Sequence, residues 1–284
     1  MADKVRSLNA ALEIVADGCH VALGGFAITR CVMPAVHHLA RAGRRRLTVS
    51  QTIAGLDTDV LVAAGCVSKL IYAGGSLDRF GSLYAVSEAV SHGEVETEEY
   101  SSLAMTLRFH SGALNLPFIP CRSLLGSDLI PPLLAAGTVH VQPDPFTGRP
   151  TLLLAPLRPD VAILHVDTAD RDGNATLAGP RWTTHETAFA ARHVILLCEE
   201  VVDQVPPDQA LIPGSVVAAV VELPCAAHPT AVAGRYDYDR AHLEAYTALA
   251  RQGPAGMRTY LERYVLSVPD HSAYLALARG DAAR

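Results

Sequence analysis

The sequence has no CxxC pair and no short cluster of cysteine with histidine. Its six cysteines (Cys19, Cys31, Cys66, Cys121, Cys198 and Cys225) are scattered over 284 residues. Neither a zinc site nor a disulfide framework is indicated, so no bound metal is expected and the thiols are read as buried. No uncharged apolar run reaches the ~18 residues that span a bilayer. The start, MADKVRSLNAAL, carries Asp3 and Lys4 where a signal peptide would be apolar. The expectation is a cytoplasmic protein with no membrane partner. Charge is scarce too: 18% of residues are charged and the net charge is −6, which speaks against a nucleic-acid partner. The one basic cluster, Arg41, Arg44, Arg45 and Arg46, falls at the end of a predicted helix, where cations complement the macrodipole. GxSxG and the complete GxGxxG fingerprint are absent. There is no repeat of fixed period, no low-complexity tract and no linker longer than a loop. With half its residues hydrophobic, the chain can bury a large core, and it is read as one domain over residues 1–284.

What is present is a repeated unit of strand, glycine turn and helix. His20–Leu23 is a short apolar strand, Gly24-Gly25-Phe26 a turn, and Met33, Val36, Leu39 and Ala40 recur at helical spacing. Glycines at a strand end let the backbone take positive φ and let a ligand approach closely. The same pair also serves as a plain tight connection, and the pattern alone does not choose. Ser7 caps an earlier helix with Leu8, Leu12 and Val15 on its apolar face. Strands are predicted at Leu47–Thr52, Ser68–Ala73 (ending in Gly74-Gly75-Ser76) and Val95–Glu98. Helices are predicted at Asp57–Ala64, Leu83–Ser91 and Ser101–Leu114, the last with Leu103, Leu107 and Leu114 inward. His37 and His38 fall on one helix as core and surface members rather than ligands. The alternation implies an α/β fold with an open, mostly parallel sheet and helices on both faces.

In the second half, Val139–Gln142 and Thr151–Ala155 flank the turn-rich PDPFTGRP as a hairpin. Further strands are predicted at Val161–Val166, His193–Cys198 and Val216–Val221, with a helix at Thr183–Ala191. ADRDGNATLA lacks the residue order and closing glutamate of a calcium loop and reads as a turn. From Asp239 onward the chain is helical. Chemistry concentrates at Glu98-Glu99-Tyr100-Ser101-Ser102, a strand end running into a helix start, where free N–H groups and the helix dipole favour an anion or a developing oxyanion. A serine cap with carboxylates that only complement the dipole accounts for the same residues.

Four segments in order, GGFAITR, EEYSSLAMTLRFHSGALNLPFIPCRSLLGSDL, ILHVDTADRDGNATLAGP and AHPTAVAGRYDYD, resemble the alpha subunit of class I CoA-transferases, especially the glutaconate CoA-transferase type. The resemblance covers nearly the whole chain. It implies a fold shared with sugar-phosphate isomerases, a partner in the form of a homologous beta subunit, often as α2β2, and acyl-CoA and a carboxylic acid as substrates. Coenzyme A enters as a substrate and no cofactor is implied. The beta subunit's glutamate attacks the thioester; no second copy of the fold lies in this chain, so that half is another polypeptide. By the same resemblance, Gly24, Gly25 and Phe26 form the cleft's glycine loop, and Arg30 supplies a guanidinium for a substrate carboxylate, suiting a dicarboxylic acid. Gly75 and Ser76 face the cleft, and Glu99, Tyr100, Ser101 and Ser102 line the oxyanion side. Two departures stand out: Cys225-Ala226 replaces a glycine pair before AHPT, and Ser102 stands where ring-opening hydrolases of the family carry glutamate.

Overall fold

Strand period and helix period divide this chain between two apolar layers. The computed structural model describes residues 3–282. In chain order the elements are α1 (Leu8–Leu12), β1 (His20–Leu23), α2 (Met33–Arg41), β2 (Leu47–Ser50), α3 (Leu56–Ala63), β3 (Val67–Tyr72), α4 (Tyr84–Ser91), β4 (Glu96–Glu99) and α5 (Ser102–Ala113). There follow β5 (Ile119–Cys121), α6 (Ile130–Ala135), β6 (Val139–Pro143), β7 (Pro150–Leu154), β8 (Val161–Asp170), β9 (Ala175–Thr176), α7 (Thr184–Ala190), β10 (His193–Val202) and β11 (Val217–Glu222). The end is helical: α8 (Arg240–Ala250), α9 (Pro254–Leu261) and α10 (His271–Ala282).

The main sheet runs β11-β10-β8-β1-β2-β3-β4 and is parallel throughout, with β9 folding back antiparallel on β8. Successive side chains of a strand point to opposite faces. Val21 and Leu23 of β1, Val161 and Ile163 of β8, and Ile195 and Leu197 of β10 therefore join one core with α2, α3, α8 and α9. Ala22, Leu164, Leu196 and Cys198 join the other with α5 and α7. A second sheet, β5-β7-β6, is antiparallel and buries Cys121, Leu152 and Leu154 in that second core. The open α/β sheet with helices on both faces and the helical C-terminus are as the sequence implies.

Four details differ. The inward face of α5 is Ala104, Met105, Arg108, Phe109 and Gly112, whereas Leu103 and Leu114 are 55% and 57% exposed. The helix is rotated because Gly112 must meet Leu157 and α7, where a Cβ would clash. β8 and β10 run on to Asp170 and Val202, since they pair with each other that far. β5 and α6 were not foreseen: the first is a three-residue strand containing Pro120 and the second begins IPP, both too short for a periodic signal. Glu98 is not an exposed site residue. It is 4% exposed; its Oε1 lies 2.6 Å from Lys69 Nζ and its Oε2 3.3 Å from Arg108 and 2.9 Å from Tyr100 Oη.

Burial alone would raise the Glu98 pKa, but hydrogen bonds from Lys69 and Tyr100 and the Arg108 charge outweigh it and hold the carboxyl below its usual value. Glu98→Ala would leave Arg108 buried without its acid, an expected loss of about 3–5 kcal/mol in urea denaturation at neutral pH. Because the folded pKa is the lower one, this stabilisation is complete above the free-glutamate pKa and is lost as pH falls through the folded value. Wild type and variant should converge in acid.

Candidate functional site at the switch point of the sheet

The strand order fixes where a ligand crevice can form. β1 and β8 are neighbours; after β1 the chain crosses through α2 toward β2, and after β8 it crosses through β9 and α7 toward β10. The helices lie on opposite faces, α2 in one core and α7 in the other. The loops leaving β1 and β8 thus diverge at the carboxyl edge, the topological switch point where open α/β sheets bind ligands.

The loop leaving β1 is Gly24–Arg30. Gly25 has φ +82, and a Cβ there would lie 2.6 Å from Arg30 O and 2.7 Å from Thr29 O, so the tight return requires glycine. Ala27 and Arg30 also take positive φ, 53° and 56°, which costs an L-residue of order 1–3 kcal/mol unless the surroundings hold it. They do so through the Arg30 side chain. Its Nη2 donates to Asp167 Oδ2 and to Ala178 O, both at 2.8 Å, and its Nη1 lies 3.1 Å from His165 Nδ1. The backbone helps as well, Arg30 N donating to Ala231 O at 2.9 Å.

Arginine has only donors, so His165 Nδ1 accepts and the ring carries its proton on Nε2. That Nε2 donates to Glu199 Oε1 at 2.7 Å. Burial lowers the His165 pKa further than Glu199 raises it, so the ring is neutral. Burial would raise Glu199, but hydrogen bonds from His165 and Tyr236 and from the N–H of Cys225 hold it below its ordinary value. Asp167 Oδ1 takes Arg235 Nε at 3.0 Å. Two arginines and two carboxylates around a neutral imidazole leave the buried cluster balanced.

This corrects the sequence-based expectation for Arg30. It is 1% exposed and neutralised by Asp167, so it is not a free cation awaiting a substrate carboxylate. Phe26 does face the crevice, half-buried, and Trp182 stacks on it with ring centroids 5.3 Å apart and 15° between planes. Thr183, next in the chain, reaches the end of β2, its Oγ1 2.8 Å from Thr52 Oγ1. Trp182 and Thr183 were missed as site residues; the signal was the chain's single tryptophan between a strand and a helix, at the edge where ligands bind.

The remaining expected residues lie farther along the same edge. Gly75 follows β3 and packs against Ala54 and Leu83, while Ser76 Oγ accepts from Asp78 N at 2.7 Å. Glu99, Tyr100, Ser101 and Ser102 follow β4. Glu99 and Ser102 are exposed. Tyr100 is turned inward, its Oη between Glu98 and Thr138, so its side chain does not line the crevice. Ser101 caps α5, accepting from Ala104 N at 3.1 Å, and meets Ser123 Oγ at 2.8 Å. β4 is three strands from β1, about 14 Å at ~4.8 Å per strand. One oxyanion therefore cannot be served from both Gly25 and Ser102. Among the described residues no set of three histidines, cysteines or carboxylates is placed to hold a metal, and no helix is long and apolar enough to cross a membrane.

Arg30→Met would leave Asp167 buried with Arg235 alone. The expected outcome is a stability loss of about 3–5 kcal/mol, seen as a lower midpoint in chemical denaturation, whichever substrate is supplied.

Comparison with known proteins agrees with this architecture. The sequence model for coenzyme A transferases matches residues 5–223. An uncharacterised protein of Archaeoglobus fulgidus is 38% identical over 99% of this chain, which spans only 63% of that protein's length. The alpha subunit of the 3-oxoadipate CoA-transferase of Pseudomonas knackmussii is 31% identical, with 97% of this chain and 98% of the relative aligned. Among solved structures, glutaconate coenzyme A-transferase from Acidaminococcus fermentans superposes with a TM-score of 0.91 at 29% identity, covering 96% of this chain and 92% of the other. The resemblance seen in the sequence motifs holds. The chain belongs to the coenzyme A transferase family, on the side of its alpha subunits.

Proposed function

We propose that this chain is the alpha component of a heteromeric cytoplasmic CoA-transferase that moves CoA from an acyl-CoA to a carboxylic acid, paired with a homologous beta subunit in an α2β2 assembly. The observation that carries this is the glycine loop at the switch point, in a chain matching a CoA-transferase alpha subunit along nearly its whole length.

In this scheme a glutamate of the partner attacks the acyl-CoA carbonyl, forming an acyl-glutamyl anhydride and free CoA thiolate. The thiolate attacks the glutamyl carbonyl, releasing the first acid and leaving a glutamyl-CoA thioester. The second acid's carboxylate attacks that thioester to give a new anhydride and thiolate, and the thiolate then attacks the new acyl carbonyl, restoring the glutamate. Each attack puts negative charge on a carbonyl oxygen, and fixed N–H donors stabilise it most where no reorganisation is needed.

Gly24 N and Phe26 N are spent on Ile163 O and Thr29 O. Among the described residues the Gly25 N–H has no acceptor, and no side chain at that position obstructs an approach to it. We assign Gly25 N–H as this chain's donor to the oxyanion. Gly24, Phe26, Gly75 and Ser76 shape the crevice. Glu99, Ser101 and Ser102, with the unpaired N–H groups at the start of α5, line the far end, where a substrate as long as acyl-CoA passes.

Two outcomes check this. In the complex incubated with acyl-CoA, mass spectrometry should find the CoA adduct on a glutamate of the partner; an adduct on Glu99 or Ser102 of this chain would refute the division of labour. Ser102→Ala should change kcat by no more than a few fold, whereas a side-chain oxyanion donor would cost about 100- to 1000-fold.

A further inference from the structure

A charged substrate arriving at the switch point needs a cation that is not already paired. Arg30 is spent on Asp167 and Arg235 on the other oxygen of the same carboxylate. Arg181 differs. It is exposed, and among the described residues its guanidinium makes no hydrogen bond or ion pair. Its neighbours fix where it stands: Trp182 lies flat on Phe26 of the glycine loop, and Thr183 is tied to Thr52 at the end of β2. The backbone at Trp182 takes a positive φ of 41°, an unusual conformation for a bulky residue that these two contacts hold in place. Arg181 therefore stands at the mouth of the crevice, one residue from an aromatic wall that begins beside Gly25.

We propose that Arg181 and the Phe26–Trp182 stack are the specificity-determining residues of the acid site, and that they select a dicarboxylic acid. This rests on the CoA-transferase scheme above. One carboxylate of the diacid goes to the reacting centre at the glycine loop, the carbon chain lies along the aromatic wall, and the second carboxylate is held by the Arg181 fork. A guanidinium matches a carboxylate with two parallel N–H donors, and a monoacid leaves that fork empty.

Trp182 is the only tryptophan of the chain, so 5-fluorotryptophan incorporated into this polypeptide alone gives one ¹⁹F resonance beside the wall, even in complex with an unlabelled partner. Glutarate and pentanoate, each of five carbons, are titrated into that complex. Glutarate should move the resonance at concentrations where pentanoate does not. Arg181→Met should weaken the glutarate response by about 30-fold while leaving pentanoate unchanged, and Arg181→Lys, a point charge without the fork, should restore part of it. Equal responses to the two acids, or an Arg181→Met complex that binds glutarate like wild type, would overturn the inference. A separate assay of CoA transfer to glutarate keeps the two ideas apart. A correct ¹⁹F pattern without transfer would sink the transferase scheme and leave the diacid site standing, whereas transfer to glutarate that Arg181→Met does not slow would sink the diacid site alone.

Discussion

The buried guanidinium of Arg30 is the contact on which the crevice depends. It grips the carboxylate that ends the tightly paired part of β8, the imidazole of His165 on the same strand and the carbonyl of Ala178 in the loop beyond. Its own backbone sits in a conformation that few arginines adopt. A buried charge pair adds little net stability over an apolar substitute, because desolvation offsets the attraction. What it contributes here is geometry: two loops that diverge from adjacent strands are held at one separation, and Gly25 N–H is left pointing at no protein acceptor.

Around that hub the charges are used up. Asp167 is shared between Arg30 and Arg235, and Glu199 is taken by His165, Tyr236 and the N–H groups of Cys225 and Ala226. The segment where Cys225-Ala226 replaces a glycine pair is thereby tied down: Cys225 takes a positive φ of 58° and both N–H groups end on Glu199. The turn survives the substitution because a carboxylate anchors it. None of these groups is available to a substrate, so chemistry at this edge falls to backbone donors, to the aromatic pair and to the partner subunit.

The helical end of the chain is tied to the opposite core in the same manner, by buried polar contacts between elements distant in sequence. Tyr246 Oη donates to Asp59 Oδ2 at 2.6 Å, and His242 Nε2 lies 3.0 Å from Tyr260 Oη. Burial raises Asp59 to about 6 and lowers His242 to about 4. Lone cations and anions are thus replaced by groups that are neutral or nearly so near neutral pH, as a close-packed interior demands.

Residue order alone determined the alternation of strands and helices, the glycine turns at the strand ends and the family, because period-2 and period-3.6 apolar patterns and short motifs are local properties. It also contained, unused, the reason Glu98 and Glu99 differ: adjacent residues of a strand face opposite sides, so one carboxylate is buried and the other exposed. Strand order was not local. Only the folded chain placed β8 beside β1, and with it Asp167 beside Arg30 and Trp182 beside Phe26. That placement decided which arginine is neutralised and which is free, since a charge's role depends on partners more than a hundred residues away that no spacing rule can see.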